Sequence, residues 1–262
     1  MKGNGMSGWN CLVTGGPRGI GRATALLAAQ AGWSVSVAGL AEHLGEAREV
    51  VQEIERACGK AVAIAVDVSK EEDVVAMFEE SERQLGPVRG LVNAAGVLHS
   101  CAVADFNFEE IRRLMSVNVV GLLICCREAA RRMSTARGGQ GGSIVNISSL
   151  AVTIGGRPGA SAYAASKAAV DVFTTGFARE VAAQGIRVNT IRPGAIATAM
   201  TANIAADPEL RRKVEASIPL GRLGRPDEIG ELAVWLLSDR ASLVTGAHIN
   251  AGGGGFNVQA AA

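Results

Sequence analysis

The chain has 262 residues, with 26 lysines and arginines, 25 aspartates and glutamates, and a formal net charge of +1. This balance argues against a nucleic-acid-binding protein, which needs an excess of basic residues on one surface. A hydrophobic fraction of 48% excludes an intrinsically disordered chain and suffices for a large core. No run reaches the ~18 consecutive apolar residues of a membrane helix, so we expect no membrane partner.

Cysteine and histidine usage predicts the compartment and argues against a metal site. The five cysteines are odd in number and show no Cys-x-x-Cys spacing, so we expect free thiols in a reducing cytoplasm. The three histidines lie far apart in the sequence, without metal-ligand spacing. Residues 1–9 are glycine-rich and polar and lack the apolar run of a signal peptide, so we expect a flexible N-terminus.

Short apolar runs alternate with longer, alanine-rich segments of helical periodicity along the chain. The runs predict strands at 12–14, 35–38, 61–66, 88–92, 143–147, 186–191 and 248–250. The longer segments predict helices at 19–31, 42–57, 71–84, 108–133, 162–183 and 227–237. The stretch 108–133 is either one long helix or a broken one. Because the strands are apolar throughout, they are typical of a sheet that is covered on both faces.

This order of elements predicts an α/β fold, with a Rossmann-like, doubly wound parallel sheet of about seven strands. We expect a single domain over residues 1–262, since no change in composition marks a boundary. The segment at about 199–218 interrupts the alternation after the sixth strand. It is polar and charged, so we expect it to form a mobile lid over a substrate.

A glycine-rich turn follows the first predicted strand. Residues 14–21 read TGGPRGIG, which places Gly15, Gly19 and Gly21 just before a helix. Glycine lets the backbone approach a pyrophosphate, and the helix N-terminus supplies unpaired amides. No Lys-Ser/Thr pair follows the last glycine, which argues against a P-loop. The turn predicts a dinucleotide site, with an ordinary strand-to-helix turn as the alternative.

Five further motifs follow at the ends of later strands or on later helices. They are Asp67 after the third strand, NAAG at 93–96, Asn118 within SVNV, Ser148-Ser149 before YAASK at 163–167, and Pro193-Gly194 with Thr198 beyond. With the glycine turn, they resemble the single-domain branch of the short-chain dehydrogenase/reductase family over roughly residues 10–253. Within that branch, the set is most similar to β-ketoacyl-carrier-protein reductases and sugar-alcohol dehydrogenases.

The resemblance implies an NAD(P)-dependent enzyme that transfers hydride between the cofactor and a carbonyl compound or secondary alcohol. It implies four catalytic residues: Asn118, Ser149, Tyr163 and Lys167. It implies a longer set of cofactor-binding residues: Gly15, Arg18, Gly19, Ile20, Gly21, Asp67, Val68, Asn93, Ala94, Gly96, Tyr163, Lys167, Pro193, Gly194, Ile196 and Thr198. Relatives of this branch are usually tetramers, which implies a homotetramer.

The implied roles divide the reaction among these side chains. Ser149 would hold the substrate oxygen, with Ser148 as the alternative. Lys167 would also bond the nicotinamide ribose, and Asn118 would hold a water that links Lys167 to solvent. Thr198 would contact the nicotinamide carboxamide.

Tyr163 is the only tyrosine of the chain, and Lys167 follows four residues later on a predicted helix, so both side chains share one face. A phenol has a pKa near ~10, and acid–base catalysis near neutral pH needs a value ~2–3 lower. We expect the Lys167 ammonium to lower the pKa of Tyr163 in this way. The alternative is a surface pair without a function.

The end of the second strand bears on the choice of nicotinamide cofactor. An acidic residue there would bond the ribose hydroxyls and repel a 2′-phosphate. Gly39 occupies this position, and the planar guanidinium of Arg18 suits a phosphate. We therefore expect NADP rather than NAD, although Leu40 stands where many NADP-binding relatives carry an arginine.

The expected pocket walls predict the class of substrate. Residues 98–106 and 151–160 are mostly small or apolar, which indicates a medium-sized, apolar or hydroxylated carbonyl compound, with Arg157 available for a carboxylate. One alternative function is a non-catalytic, NADP-binding redox sensor. A serine hydrolase is disfavoured, because residues 159–163 lack the last glycine of a G-x-S-x-G turn.

Overall fold

A computed structural model describes residues 8–255 of the chain. Seven parallel strands form one sheet in the order β3-β2-β1-β4-β5-β6-β7. The strands are β1 (Asn10–Thr14), β2 (Ser34–Gly39), β3 (Ala61–Ala65), β4 (Val88–Asn93), β5 (Gly142–Ile147), β6 (Ile186–Pro193) and β7 (His248–Ala251). The helices are α1 (Gly19–Gln30), α2 (Leu44–Arg56), α3 (Glu71–Leu85), α4 (Phe108–Met115), α5 (Leu122–Met133), α6 (Ala151–Ile154), α7 (Ser161–Val181), α8 (Ala202–Ala206), α9 (Pro208–Ala216) and α10 (Pro226–Leu237).

Helices cover both faces of the sheet, which confirms the predicted doubly wound α/β class. One core lies between the sheet and α3, α5 and α7, and the other between the sheet and α1, α2 and α10. All five positions of β1 are buried, as expected for a strand that is covered on both sides. The apolar pattern of the strands therefore follows from their place between two helical layers.

The strand order reverses at β1, which pairs with β2 on one side and with β4 on the other. The chain first builds β2 and β3 outward from β1, then returns to build β4 to β7. At such a reversal the connecting loops diverge and leave a crevice beyond the carboxyl ends of the strands. The glycine turn and the ends of β4, β5 and β6 all lie at this carboxyl edge.

The predicted 108–133 stretch is broken in the structure. A π-helical segment, Ser116–Gly121, separates α4 from α5. A Cβ on Gly121 would lie 2.5 Å from the carbonyl oxygen of Val68, so the helix touches the backbone after β3 there. The wider π turn places Asn118 in the interior, where it is 1% exposed.

The predicted lid and the predicted flexible N-terminus each contain ordered structure that was not predicted from the sequence. The predicted lid, 199–218, contains α8 and α9, and the start of α9 could have been recognised from the sequence. Asp207 accepts hydrogen bonds from the amides of Glu209 and Leu210, and Pro208 occupies the first turn.

Within the expected flexible N-terminus, residues 1–7 lie outside the described residues. Trp9 belongs to the packed fold, because its ring meets that of Trp33 edge to face.

Candidate active site

The glycine turn between β1 and α1 is a close-packed backbone crossing. Gly15 and Gly19 have φ angles of +66° and +51°, in the left-handed region that favours glycine. A Cβ on Gly15 would lie 2.8 Å from the backbone of Ala94, and one on Gly21 would lie 2.1 Å from the Gly15 carbonyl oxygen. The motif therefore reflects close backbone contacts at Gly15 and Gly21 and left-handed backbone at Gly15 and Gly19.

The N-terminus of α1 fits an anion. Arg18 is its N-cap residue, its side chain makes no capping hydrogen bond, and the first turn holds no acidic residue. The first amides of the helix thus have no side-chain cap within the described chain, and the helix dipole adds positive potential there. Since the turn also keeps side chains off the backbone, Gly15, Gly19, Ile20 and Gly21 fit the pyrophosphate of a dinucleotide.

Gly21→Ala tests the role of this crossing. Because the new methyl would meet backbone and not a flexible side chain, we expect a loss of about 3 kcal/mol in unfolding free energy. Chemical denaturation of the purified variant measures this loss. Gly176→Ala is the matched control, since nothing lies within 4 Å of a Cβ at that position of α7. An equal stability change in both variants would contradict the assigned clash.

The edge of the turn that faces β2 has no room for an acidic side chain. A Cβ on Gly39 would lie 2.6 Å from the ring of Pro17. The Arg18 guanidinium, half exposed, pairs with the carboxylate of Glu46 on α2. This pairing raises the pKa of Arg18 and lowers that of Glu46. Arg18 therefore has a carboxylate partner that the sequence alone did not indicate.

The residues after β3 and β4 contribute mainly backbone to this edge. Asp67 accepts hydrogen bonds from the amide and hydroxyl of Ser69, at 3.0 and 2.7 Å, and so fixes the turn after β3. Val68 is buried against the π-helical segment. Asn93 points away from the crevice into the core, where its amide donates to Asn146 at 2.9 Å. Asn93 can therefore offer the crevice only its backbone.

The segments after β4 and β6 close the crevice on its other sides. The backbone of Ala94 packs on Gly15. A Cβ on Gly96 would lie 3.4 Å from the Lys167 ammonium. Beyond β6, the methyl of Thr198 lies 3.2 Å from the Cβ position of Gly19. Thr198 thus faces the phosphate turn across the crevice.

The three remaining predicted residues of this segment are held by backbone contacts. The Pro193 carbonyl accepts from the amide of Leu150, and the Gly194 amide donates to the carbonyl of Ala251. Ile196 is buried and forms an isolated β-bridge with Gly224. The structure therefore fixes the path of the chain from β6 to Thr198.

Ser149 and Tyr163 come together at the carboxyl end of β5. The Ser149 hydroxyl lies near the Tyr163 phenol and acts to lower its pKa. Its oxygen also accepts from the amide of Ala151 at 3.1 Å, which leaves its hydrogen free to be donated. Ser148 is 3% exposed and donates to the carbonyl of Lys167 at 3.2 Å. Of the two serines, only Ser149 faces the phenol.

Lys167 is buried one helical turn after Tyr163. Its ammonium donates to the carbonyl of Ile147 at 2.9 Å and lies 5.9 Å from the centre of the Tyr163 ring. Burial lowers the pKa of Lys167 to about 8, and the nearby Asp171 carboxylate opposes this effect. The amine thus changes its charge close to physiological pH.

Asn118 joins three segments behind this pair. Its carboxamide oxygen accepts from the amide of Val97 at 2.8 Å, and its nitrogen donates to the carbonyl of Val97 and to the hydroxyl of Ser166. A Cβ on Gly96 would touch both the Asn118 oxygen, at 3.3 Å, and the Lys167 ammonium, at 3.4 Å. Asn118 and Lys167 therefore border the same small space.

The sequence-based expectation for the phenol is wrong in direction for the protein alone. Burial raises the pKa of Tyr163, and the nearby Ser149 hydroxyl lowers it by a smaller amount. The Lys167 ammonium donates to the Ile147 carbonyl and lies 5.9 Å from the ring centre. Within residues 8–255 the protein groups alone do not acidify the phenol.

Comparison with known proteins identifies the family. A family model described as enoyl-(acyl carrier protein) reductase matches residues 15–256. The fold matches a short-chain type dehydrogenase/reductase from Mycobacterium marinum with a TM-score of 0.88 and 37% identity, over 95% of this chain and 96% of that one. The chain belongs to the short-chain dehydrogenase/reductase family. It is therefore an enzyme, an oxidoreductase that depends on a nicotinamide cofactor.

Two curated relatives show the range of this dehydrogenase/reductase family. The uncharacterized oxidoreductase YgfF of Escherichia coli (strain K12) is 49% identical over 244 residues, which cover 93% of this chain and 98% of that protein. The 3beta-hydroxysteroid dehydrogenase 1 of Eggerthella lenta is 39% identical over 95% of this chain and 94% of its own length.

Sequence reasoning missed three residues of the site in this dehydrogenase/reductase. Ser166 donates to the Tyr163 carbonyl at 2.7 Å and receives the Asn118 amide, so it ties the catalytic helix to the π-helical segment. Asp171 lies one turn beyond Lys167, is 4% exposed and is ion-paired with Arg192 at 2.8 Å. Asp171 could have been recognised from the sequence, because it is a charged residue on a helical face that is otherwise buried. No sequence signal indicated Glu46, which pairs with Arg18.

Two absences complete the description. Among residues 8–255, no helix combines the length and apolar character needed to cross a membrane. In the same part of the chain, no group of three or more His, Cys, Asp or Glu side chains is arranged to hold a metal ion.

Proposed function

We propose that this enzyme interconverts a carbonyl compound and the corresponding secondary alcohol, with Tyr163 as the acid and base. The supporting observation is the cluster of Ser149, Tyr163 and Lys167 at the carboxyl end of β5, beside the uncapped start of α1. A phenol, a hydroxyl donor and a buried amine are the groups that protonation and polarisation of a carbonyl oxygen require.

The four catalytic residues have separate roles in this proposal. A bound nicotinamide dinucleotide supplies or accepts the hydride. Tyr163 gives the proton to the substrate oxygen during reduction, and Ser149 donates a second hydrogen bond to that oxygen. Lys167 holds positive charge behind the phenol and, by analogy with the family, bonds the cofactor's ribose. Asn118 positions the route by which Lys167 recovers a proton, since both border the space next to Gly96.

The cofactor proposed is NADP. The Pro17 ring excludes a side chain, and thus a carboxylate, at Gly39, so nothing at the end of β2 repels a 2′-phosphate. The Arg18–Glu46 pair is exposed, and exposed ion pairs contribute at most about 1 kcal/mol. Arg18 can therefore leave Glu46 for a phosphate, with which its planar fork makes two charge-assisted hydrogen bonds.

Arg18→Ala tests this preference. We expect the variant to bind NADPH about 10-fold more weakly and NADH within about 2-fold of the wild type, because only NADPH carries the 2′-phosphate. Fluorescence titration of both reduced cofactors measures the two dissociation constants. Glu46→Gln is the paired control and should tighten NADPH, since it releases Arg18. Equal weakening of both cofactors in Arg18→Ala would rule out the phosphate contact.

The proposed substrate pocket lies between two loops and the segment after β6. The loops 98–106 and 151–160 are joined by a hydrogen bond from the Cys101 amide to the Gly159 carbonyl at 2.9 Å. The segment 199–218 packs around its own small cluster of Ile204, Val214 and Ile218. A segment with a separate core can move as a unit, which supports its proposed role as a lid. The apolar walls favour a medium-sized apolar or hydroxylated substrate, with Arg157 available for a carboxylate.

We also propose a homotetramer in the cytoplasm. Exposed apolar side chains on α4 and α7 support an assembly, since Phe108 is 76% and Val172 is 75% exposed. Free cysteines throughout the described chain support a reducing compartment. Sedimentation velocity of the purified protein determines the number of copies.

A panel of ketones and alcohols, assayed with NADPH, NADH and their oxidised forms, tests the proposed activity. Turnover of at least one ketone or secondary alcohol, lost in Tyr163→Phe, is the expected result. Turnover that persists in Tyr163→Phe would overturn the assignment of the acid and base.

A further inference from the structure

A second concave region lies at the opposite edge of the sheet from the active site. It is lined by Trp9, Trp33, Arg89, Arg187 and Asp239, among others, and we call it the basal cleft. Arg89 and Arg187 stand near the first residues of β4 and β6, whereas the active site lies beyond the last residues of the strands. The basal cleft is therefore separated from the active site by the length of the strands.

Arg89 reaches into the basal cleft with part of its hydrogen-bonding capacity unused. Its guanidinium carbon lies over the Trp9 ring, 3.6 Å from the ring centre, and one terminal nitrogen donates to the carbonyl of Gln140 at 3.0 Å. Its Nε is buried and has no partner among the described residues. An unpaired buried N–H costs free energy unless a ligand or water supplies an acceptor.

Trp33 presents a second unpaired donor in the same region. The residue is 2% exposed, and its indole N–H has no hydrogen-bond partner in the described chain. Four buried side-chain polar atoms within residues 8–255 lack a partner, and two of them, both N–H donors, belong to Trp33 and Arg89. This concentration of unpaired donors in one cleft points to an acceptor that binds there.

The charges of the cleft define the kind of acceptor. In the described chain the side-chain hydrogen bonds of Arg89 and Arg187 go to backbone carbonyls and not to carboxylates, although the Asp239 carboxylate acts electrostatically on both. Burial lowers the pKa of both arginines, so their charges are poorly solvated. Two guanidinium groups and one carboxylate leave a single net positive charge, which matches a monoanion.

Arg187 is already committed to the protein backbone. Its guanidinium donates to the carbonyls of Leu237 and Ser238, at 3.4 and 3.1 Å, and thereby caps the end of α10. Arg89 is thus the group that can turn towards a ligand, and its planar fork suits a planar carboxylate. The partly exposed Trp9 ring supplies apolar surface for the rest of such a ligand, since Trp33 is buried beneath it.

We propose that the basal cleft binds a small planar carboxylate with an apolar body, which accepts hydrogen bonds from Arg89 and the Trp33 indole N–H and packs beside Trp9. This site is distinct from the crevice at the carboxyl edge and does not depend on the proposed function.

Tryptophan fluorescence provides a direct test with benzoate as the probe. The chain has three tryptophans, and Trp235 on α10 does not line the cleft, so the full-length Trp235→Phe variant reports from Trp9 and Trp33. We expect saturable quenching with a dissociation constant of about 1 mM, usual for a small fragment. Benzamide, which has the same shape without the charge, should bind at least about 10-fold more weakly.

Two substitutions in that background locate the site. Arg89→Gln and Trp33→Phe should each weaken benzoate binding about 10-fold, since each removes an unpaired donor. Arg83→Gln is the matched control, because Arg83 is an exposed arginine of α3 that pairs with Glu80. Unchanged far-ultraviolet circular dichroism and a single cooperative thermal unfolding transition show that the variants are folded. Absence of saturable quenching, or unchanged binding in folded Arg89→Gln, would overturn the proposal.

Discussion

Tyr163→Phe is expected to lower kcat for ketone reduction by about 10³-fold, because it removes the proposed proton donor to the substrate oxygen. The ring, which packs in the site, is kept, so cofactor binding should stay within about 2-fold of the wild type. Single-turnover measurements with a deuterated cofactor measure hydride transfer directly, apart from product release.

The single tyrosine makes the same variant a spectroscopic control. The absorbance change of phenol ionisation in the wild type comes from Tyr163 alone, and Tyr163→Phe should abolish it. Because burial raises the pKa of Tyr163, the cofactor-free protein should ionise this phenol above pH 10. Addition of the oxidised, cationic cofactor should shift the ionisation to lower pH. Retention of a tenth or more of wild-type kcat in the variant would exclude Tyr163 as the essential acid.

The positions of the site residues could be predicted because they follow from strand ends and short helical spacings. Gly15 and Gly21 lie against other backbone, and Gly15 and Gly19 have positive φ angles. Few other residues tolerate these conditions, so the spacing of the three glycines follows directly from the geometry of the turn. Tyr163 and Lys167 share a face because they are one turn apart in α7. Such local relations are encoded in neighbouring residues and can be recognised without a structure.

Relations between distant segments could not be predicted in this way. The break at residues 116–121 depends on the contact of Gly121 with Val68, which lies 53 residues away in the sequence. The Arg18–Glu46 pair depends on how α2 packs beside α1. The direction of the Asn93 side chain depends on which face of β4 meets α5. Each of these needs the tertiary arrangement as well as the sequence.

The directions of the pKa shifts in the site could not be predicted without the structure, since they are set by burial and not by the proximity of the two groups. Spacing alone suggested that Lys167 acidifies Tyr163. The structure shows that both groups are desolvated, which raises the pKa of the phenol and lowers that of the amine. Burial therefore shifts both groups towards their neutral forms, although Lys167 stays mostly charged at pH 7, and this charge costs free energy.

Lys167→Met is expected to inactivate the enzyme and to make it more stable at pH 7. In the folded chain the pKa of Lys167 falls from 10.5 to about 8, so keeping the ammonium charged costs the folded state roughly 3 kcal/mol at neutral pH. Methionine fills a similar volume without this cost but loses the hydrogen bond to the Ile147 carbonyl, worth about 1 kcal/mol. We expect a net gain of roughly 2 kcal/mol in unfolding free energy.

The pH dependence separates this explanation from a simple gain in packing. Between about pH 8 and 10.5 the folded lysine is neutral while the unfolded one still holds its proton, so the wild type regains stability as the pH rises. The difference between Lys167→Met and the wild type should therefore shrink across that range in urea denaturation. Lys60→Met, at an exposed loop lysine, should change stability by less than about 0.5 kcal/mol at any pH. A stability difference that is independent of pH would show that burial of the Lys167 charge costs the folded state no free energy. This lysine could then no longer be regarded as kept for its function in spite of such a cost.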